Sequence, residues 1–215
     1  PLFIALAIFA CGAPIVTPEK RAAKARVNKG PIHIGVAWPF SVKQDDFKAG
    51  IELALSEINA QGGLLGRPVE VEFQDDKGNV ETGKLVAQSF SENIDTLAVI
   101  GHYNSYISVP AAITYEYYGV LMVTPGSTTP KLTKQGLKYV CRTIPNDNEI
   151  GKQLAQHAFS QNYKKVLILH ERGSYGKGLA NAFELTANSL GIDIVDRYVY
   201  DGAQDLNQIL ERIRL

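Results

Sequence analysis

From Pro31 onward, short runs rich in β-branched residues alternate with stretches whose apolar residues recur at helical spacing. No other feature of the sequence restricts the fold so strongly. The runs IHIGVAW (32 to 38), VEVEFQ (69 to 74), TLAVIG (96 to 101), VLMVT (120 to 124), KVLILH (165 to 170) and IDIVDRYVY (192 to 200) read as strands. Between them, Phe47, Ile51, Ala54, Leu55 and Ile58 share one helical face. So do Leu179, Phe183, Ala187 and Leu190, and again Leu206, Ile209, Leu210 and Ile213. Such faces are core stripes. Strands separated by helices imply parallel pairing with right-handed crossovers and helices on both faces of the sheet. The expectation is a doubly wound α/β fold.

The stretch KYVCRTIPNDNEI (138 to 150) breaks this rhythm with an isolated short strand followed by Pro145 and polar residues, as a crossing between two lobes would. Lobe one is therefore placed at 31 to 143 and a partial lobe two at 144 to 215. Ligands of open α/β sheets sit beyond the carboxyl ends of the strands. Those ends are Trp38 to Ser41, Asp75 and Asp76, His102 to Ser105, Thr124 to Thr129, His170 to Tyr175, and Asp201.

VTPGSTTPKLT (123 to 133) is the most unusual of them, because a buried strand delivers hydroxyls and free backbone groups to one spot. Ser105, at the start of SYISVPAAITYEYYG, would bring the amides and dipole of a helix N-terminus, which suit a carboxylate. The carbonyls at Pro125 and Gly126 can accept from an ammonium, and Thr128 can donate through N–H while accepting through its hydroxyl. Together these groups suit a zwitterion. Taken singly, Ser105 also reads as a helix cap and PGSTTP as a turn.

Lysine plus arginine and aspartate plus glutamate number 22 each, so no charge excess points to nucleic acid or an acidic substrate. The only cysteines are Cys11 and Cys141, which leaves no intramolecular disulfide framework. Cys141, in KYVCRTI, reads as a packed small residue. The opening PLFIALAIFAC is apolar, without Met or a basic start, and too short for the roughly 20 residues of a membrane span. It suits the core of a signal peptide whose beginning is missing, over residues 1 to 11. IFAC resembles a bacterial lipobox that would acylate Cys11, although Phe9 departs from that pattern; a plain signal peptide or an N-terminal anchor fits the same residues. Residues 12 to 30 then read as a basic tether.

An enzyme finds little support. RGSYG lacks the first glycine of G-x-S-x-G, no H-E-x-x-H occurs among the 4 histidines, GSYGKG is too short for a Walker loop, and no G-x-G-x-x-G follows the first strand. His102 and His170, imagined with Ser105, Ser174 and Asp75, read as structural histidines rather than as a hydrolase site.

The runs GIELALSEINAQGGLLGRPVEVEFQDDKGN, VIGHYNSYISVPAAITYEYYGVLMVTPGSTTPKLT and VLILHERGSYGKGLANAFE resemble the periplasmic branched-chain amino acid binding proteins, over about residues 31 to 215. The resemblance implies a two-lobed, type I periplasmic-binding-protein-like fold and a monomer without cofactor. That monomer would bind an amino acid outside the cytoplasm and hand it to an ABC-transporter membrane permease. It assigns Ser105 to the ligand carboxylate, the Gly126 carbonyl to the ammonium, Thr128 to both, and Tyr175 to closure from the second lobe. Trp38, Phe40, Tyr103 and Tyr106 could line an apolar pocket for the side chain, and each reads equally as an ordinary surface or core aromatic. A disulfide common in the family corresponds to Gly78 and Asn104. The family also continues beyond Leu215 with an acidic partner for the ammonium, so the chain is expected to be part of a longer protein. The same lobes serve as sensory ligand domains of receptors, which is the alternative output.

Overall fold

A computed structural model describes residues 16–213. The expected membrane-targeting segment with Cys11, and Leu215, lie outside these. Five parallel strands form the first sheet: β1 (Ile32–Trp38), β2 (Val69–Asp75), β3 (Thr96–Gly101), β4 (Leu121–Thr124) and β5 (Val140–Arg142), in the order β2-β1-β3-β4-β5. A second parallel sheet pairs β6 (Lys165–Glu171) with β7 (Asp193–Tyr200). The α/β expectation holds. The stretch expected to be an isolated strand differs: β5 joins the first sheet through its register with β4, where Thr124 faces Arg142.

Helices α2 (Phe47–Ala60), α3 (Val80–Glu92) and α4 (Ser105–Tyr118) connect the first four strands, and the short α5 (Lys131–Lys134) precedes β5. Beyond β5 come α6 (Asp147–Ser160), α7 (Ser174–Ser189) and α8 (Ala203–Ile213). The first core is built from α3, α4 and the sheet beneath them, with Phe90, Val99, Ala111, Tyr115 and Met122 buried together. A smaller core gathers Ala155, Ala158, Ala187 and Ile192 around Phe183 and Leu190. There α6 and α7 cross so closely that a Cβ on Gly151 would lie 2.6 Å from the Ala182 side chain.

Three local expectations are corrected. The stripe of α2 is only half covered: Phe47, Ile51, Leu55 and Ile58 are partly exposed and Ala54 is exposed, because the helix rests along edge strand β2. Cys141 is exposed, not packed, since on β5 it alternates with the buried Val140. The tether expected over 12 to 30 contains a helix, α1 (Pro18–Val27), whose Arg21 is 2% exposed. Its guanidinium donates to the carbonyls of Ser91, Asn93, Thr96 and Tyr118. Most of these carbonyls end α3 and α4, where a cation is favoured by the helix dipoles. Lys24 adds an ion pair to Asp95 at 2.7 Å.

β1 lies between β2 and β3, so successive crossovers leave it in opposite directions and open a crevice at its carboxyl end. In register, Trp38 stands opposite Asp75 and Ala37 opposite Gly101. The polar ends of β2, β1, β3 and β4 therefore form one row.

Candidate functional site

The site is assembled at the carboxyl ends of β3 and β4. Asn104 occupies the N-cap position of α4 without a side-chain cap bond, and Ser105 is the first helical residue. Among the described residues, the amides of Ser105 and Tyr106 have no acceptor, as expected at an uncapped N-terminus. The Ser105 hydroxyl accepts from the Thr129 amide at 3.3 Å, which joins the helix start to the turn after β4.

The hydroxyls of that turn divide into two sets. Thr124 Oγ1 donates to the His102 carbonyl at 2.7 Å and accepts from the Gly126 and Ser127 amides at 3.2 and 3.0 Å. Ser127 Oγ bonds Ser108 Oγ and reaches the Tyr103 carbonyl at 3.2 Å. These buried hydroxyls shape the turn. By contrast, the Gly126 carbonyl and the Thr128 hydroxyl have no partner among the described residues. Gly126 is required by close approach, since a Cβ would lie 2.7 Å from Tyr103 Cδ2.

Groups at the end of β5 and at the start of α6 hold the turn from its other side. The Asp147 amide donates to the Thr128 carbonyl at 2.9 Å, and Arg142 donates to the Thr129 carbonyl at 2.9 Å. Burial pulls the Arg142 guanidinium below the ordinary arginine value, and the Asp147 charge opposes that pull.

A cleft of ≈ 250 Å³ is lined by Ser105, Tyr106, Thr129, Asp147, Ser174 and Tyr175, among others. It brings together Ser105 and Tyr175, which lie far apart in sequence. Tyr175 is 51% exposed on the first turn of α7, free to meet a ligand. Gly126 and Thr128 sit in the adjoining turn rather than on this wall, and Thr129 takes the lining position. A larger cavity of ≈ 400 Å³ lies in the second lobe among Leu154, Leu167, Leu169 and Phe183. It shares Tyr175 with the smaller cleft but contains neither Ser105 nor the turn.

The expected wall is arranged differently. Trp38 is 3% exposed, stacked on Phe47 with centroids 3.8 Å apart and set edge-on to Tyr103 at 4.9 Å. Neither Trp38 nor Tyr103 is among the residues that line the cleft. Phe40 packs against Phe73, while Tyr106 lines the cleft and donates to the Gly78 carbonyl at 3.0 Å. Gly78 and Asn104 are neighbours, since a Cβ on Gly78 would lie 3.9 Å from Asn104 Oδ1.

Neither histidine lines the cleft. His102 is fully buried, with Nδ1 2.6 Å from Asp76 Oδ2 and Nε2 3.1 Å from the Tyr115 hydroxyl. Donation from Nδ1 to Asp76 and acceptance at Nε2 from Tyr115 satisfy both bonds. His170 Nε2 accepts from Arg197 at 3.1 Å. Asp75 accepts from the Ser41 and Lys77 amides at 3.1 and 2.8 Å. These bonds outweigh burial, which alone would raise its pKa, and hold it below the ordinary carboxylate value. Among the described residues no group of three or more His, Cys, Asp or Glu is placed to hold a metal ion. Asp147 and Arg142 escaped the sequence reading; an acid after Pro145 and Asn146 looks like any residue of a helix's first turn.

The family model for the receptor family ligand binding region matches residues 47–215. The chain belongs to that family. It is 36% identical over 179 residues to a Leu/Ile/Val-binding protein of Rhizobium johnstonii, covering 82% of this chain and 48% of the relative. It is 46% identical to an ABC transporter substrate-binding protein of Desulfitobacterium hafniense solved in complex with Leu, with a TM-score of 0.77 over 86% of this chain and 55% of that one. A Streptococcus pneumoniae branched-chain amino acid transporter substrate-binding protein, in complex with isoleucine, matches at 26% identity and a TM-score of 0.75, covering 86% of this chain and 54% of its own. The fold is the type I periplasmic one, and the chain spans about half the length of these relatives. The relatives are binding proteins.

Proposed function

We propose that the chain forms the ligand-binding part of an ABC importer's solute receptor outside the cytoplasm and takes a free amino acid with an aliphatic side chain, leucine first. The carboxylate lies against the Ser105 hydroxyl and the open amides of α4; the ammonium meets the Gly126 carbonyl and the Thr128 hydroxyl. Tyr175 approaches from the second lobe. The observation that carries this reading is the joining of the helix start to the turn through Ser105 and Thr129, with Tyr175 on the same cleft. The leucine-bound relative at 46% identity supports the choice of side chain.

No bond in the ligand is made or broken. A ligand touching both lobes is bound more tightly when they close, and that difference shifts the population toward the closed state. The closed receptor, a monomer tethered through acylated Cys11, then meets a membrane permease. Among the described residues no helix is long and apolar enough to cross a membrane. The family description, a receptor region, favours one second reading, a sensory domain with the same site.

Titration calorimetry of the full-length protein with L-leucine tests the proposal. Ser105→Ala combined with Thr128→Ala removes a donor to the carboxylate and an acceptor from the ammonium, and should weaken binding at least about 100-fold. Unchanged affinity would remove the carboxylate and ammonium clamp.

A further inference from the structure

The end of the first lobe opposite the cleft carries a surface that the binding site does not use. α1 lies across the amino-terminal ends of the strands. Arg21 bonds the carbonyl of Thr96, which opens β3, and Pro18 sits so near Gly119, ahead of β4, that a Cβ on that glycine would come within 2.7 Å of it. The outward side of the helix and the residues after it expose Lys20, Arg26, Val27 and Lys29, with Val27 at 74%.

Next to the end of α1 is the turn between α2 and β2. Leu64 and Arg67 close it with reciprocal backbone bonds of 2.9 and 3.0 Å, and Leu65 at its tip is 95% exposed with φ 55, a left-handed conformation that bulky residues rarely adopt. The backbone thus holds a leucine outward. Arg67 donates to the Gly30 and Pro31 carbonyls at 2.7 and 3.1 Å, which fastens this turn to the segment leaving α1. Residues 18 to 30 hold Glu19 as their one acid against five lysines and arginines. Of the acids on neighbouring elements, Asp95 pairs with Lys24, Glu70 faces His33 at 3.4 Å and Glu92 accepts from Gln88.

We propose that Val27, Leu64 and Leu65, flanked by Lys20, Arg26 and Lys29, dock lobe one on an anionic phospholipid surface, with the leucine tip among the headgroups and the cleft, at the other end of the strands, turned toward the solute. The inference rests on the reading of an acylated Cys11. Seven residue steps separate Cys11 from Pro18 and reach no more than about 25 Å when fully extended, so an anchored chain holds α1 near the bilayer. Apolar side chains set among cations suit an anionic interface. A patch too small to hold a free protein on a membrane is sufficient for a tethered one, because the tether supplies the effective concentration.

The test is the emission of a polarity-sensitive dye on the full-length, acylated protein in phosphatidylglycerol or phosphatidylcholine vesicles, with Cys141→Ser so that one thiol takes the label. The dye is placed at Leu65→Cys or, at the cleft end, at Val42→Cys, where the native side chain is exposed. Emission from position 65 should shift to the blue on phosphatidylglycerol and less on phosphatidylcholine, while position 42 stays water-like on both. Arg26→Glu with Lys29→Glu, or high salt, should reduce the shift. Water-like emission from position 65 on the acylated protein, or an equal shift on both lipids, overturns the inference and leaves the anchor standing. Blue emission from position 65 of the Cys11→Ser protein without vesicles would mean that protein covers the tip, which also overturns it. The intact mass of the natively expressed protein reports the acyl chain; if Cys11 carries none, anchor and docking fall together.

Discussion

His102, Asp76 and Tyr115 form a chain of fully buried polar side chains beneath the turn after β4. The His102 carbonyl accepts from the Thr124 and Ser108 hydroxyls, so the ring's position is tied to the backbone that presents Gly126 and Thr128. Tyr115→Phe keeps the ring volume but strips His102 Nε2 of its donor, and should cost about 1–3 kcal/mol in urea denaturation. Burial, with the Asp76 charge adding to it, holds the Tyr115 hydroxyl well above the ordinary tyrosine value. Its folded pKa exceeds the unfolded one, so its contribution is intact below about pH 10 and declines as pH rises beyond. Wild type should therefore lose stability in alkaline denaturation more steeply than Tyr115→Phe. The strand-end pattern made both His102 and Asp76 visible in the sequence, but not their pairing. Neighbouring aspartates looked alike, and only the turn after β2 sends Asp75 to the Ser41 and Lys77 amides while Asp76 points inward.

Among the elements, α1 shows how a local signal is outweighed by composition. Thr17 accepts from the Lys20 amide at 3.3 Å, Pro18 opens the helix, Glu19 lies in its first turn, and Lys24 and Arg26 in its last. Each is a helix signal. The surplus of lysine and arginine argued for a solvated tether instead, and nothing in the sequence announced that Arg21 would be buried against the carboxyl-terminal ends of α3 and α4. Arg21→Met should leave those carbonyls without their donor and lower stability by about 3 kcal/mol or more. A circular-dichroism melt would check it; a melting temperature equal to wild type would mean that α1 is a passenger on the lobe. The strands were legible because β-branched runs between turn residues leave little choice. The half-covered face of α2 was not, because a helical stripe records that a face is apolar and not how much of it the neighbouring elements cover.

At the scale of the whole molecule, the proposed function rests on two sheets presenting their polar ends to one cleft. The sequence marked Ser105, Gly126, Thr128 and Tyr175 through strand ends and resemblance, and the structure brings Ser105 and Tyr175 onto a common wall with the turn adjoining. It left Asp147 unmarked, since the burial of its side chain at the cleft is a property of packing between elements and has no local pattern. Trp38 was marked for its type and position, yet stacking on Phe47 withdraws it from the surface. If one amino acid is held between the lobes, adding it must quiet both sides of the cleft together. Hydrogen exchange of the full-length protein, with and without saturating L-leucine, measures this directly. Amides at 105 to 108 and 126 to 129 should gain protection together with those at 174 to 177; protection confined to one lobe, or absent from both, would contradict a ligand clamped between them.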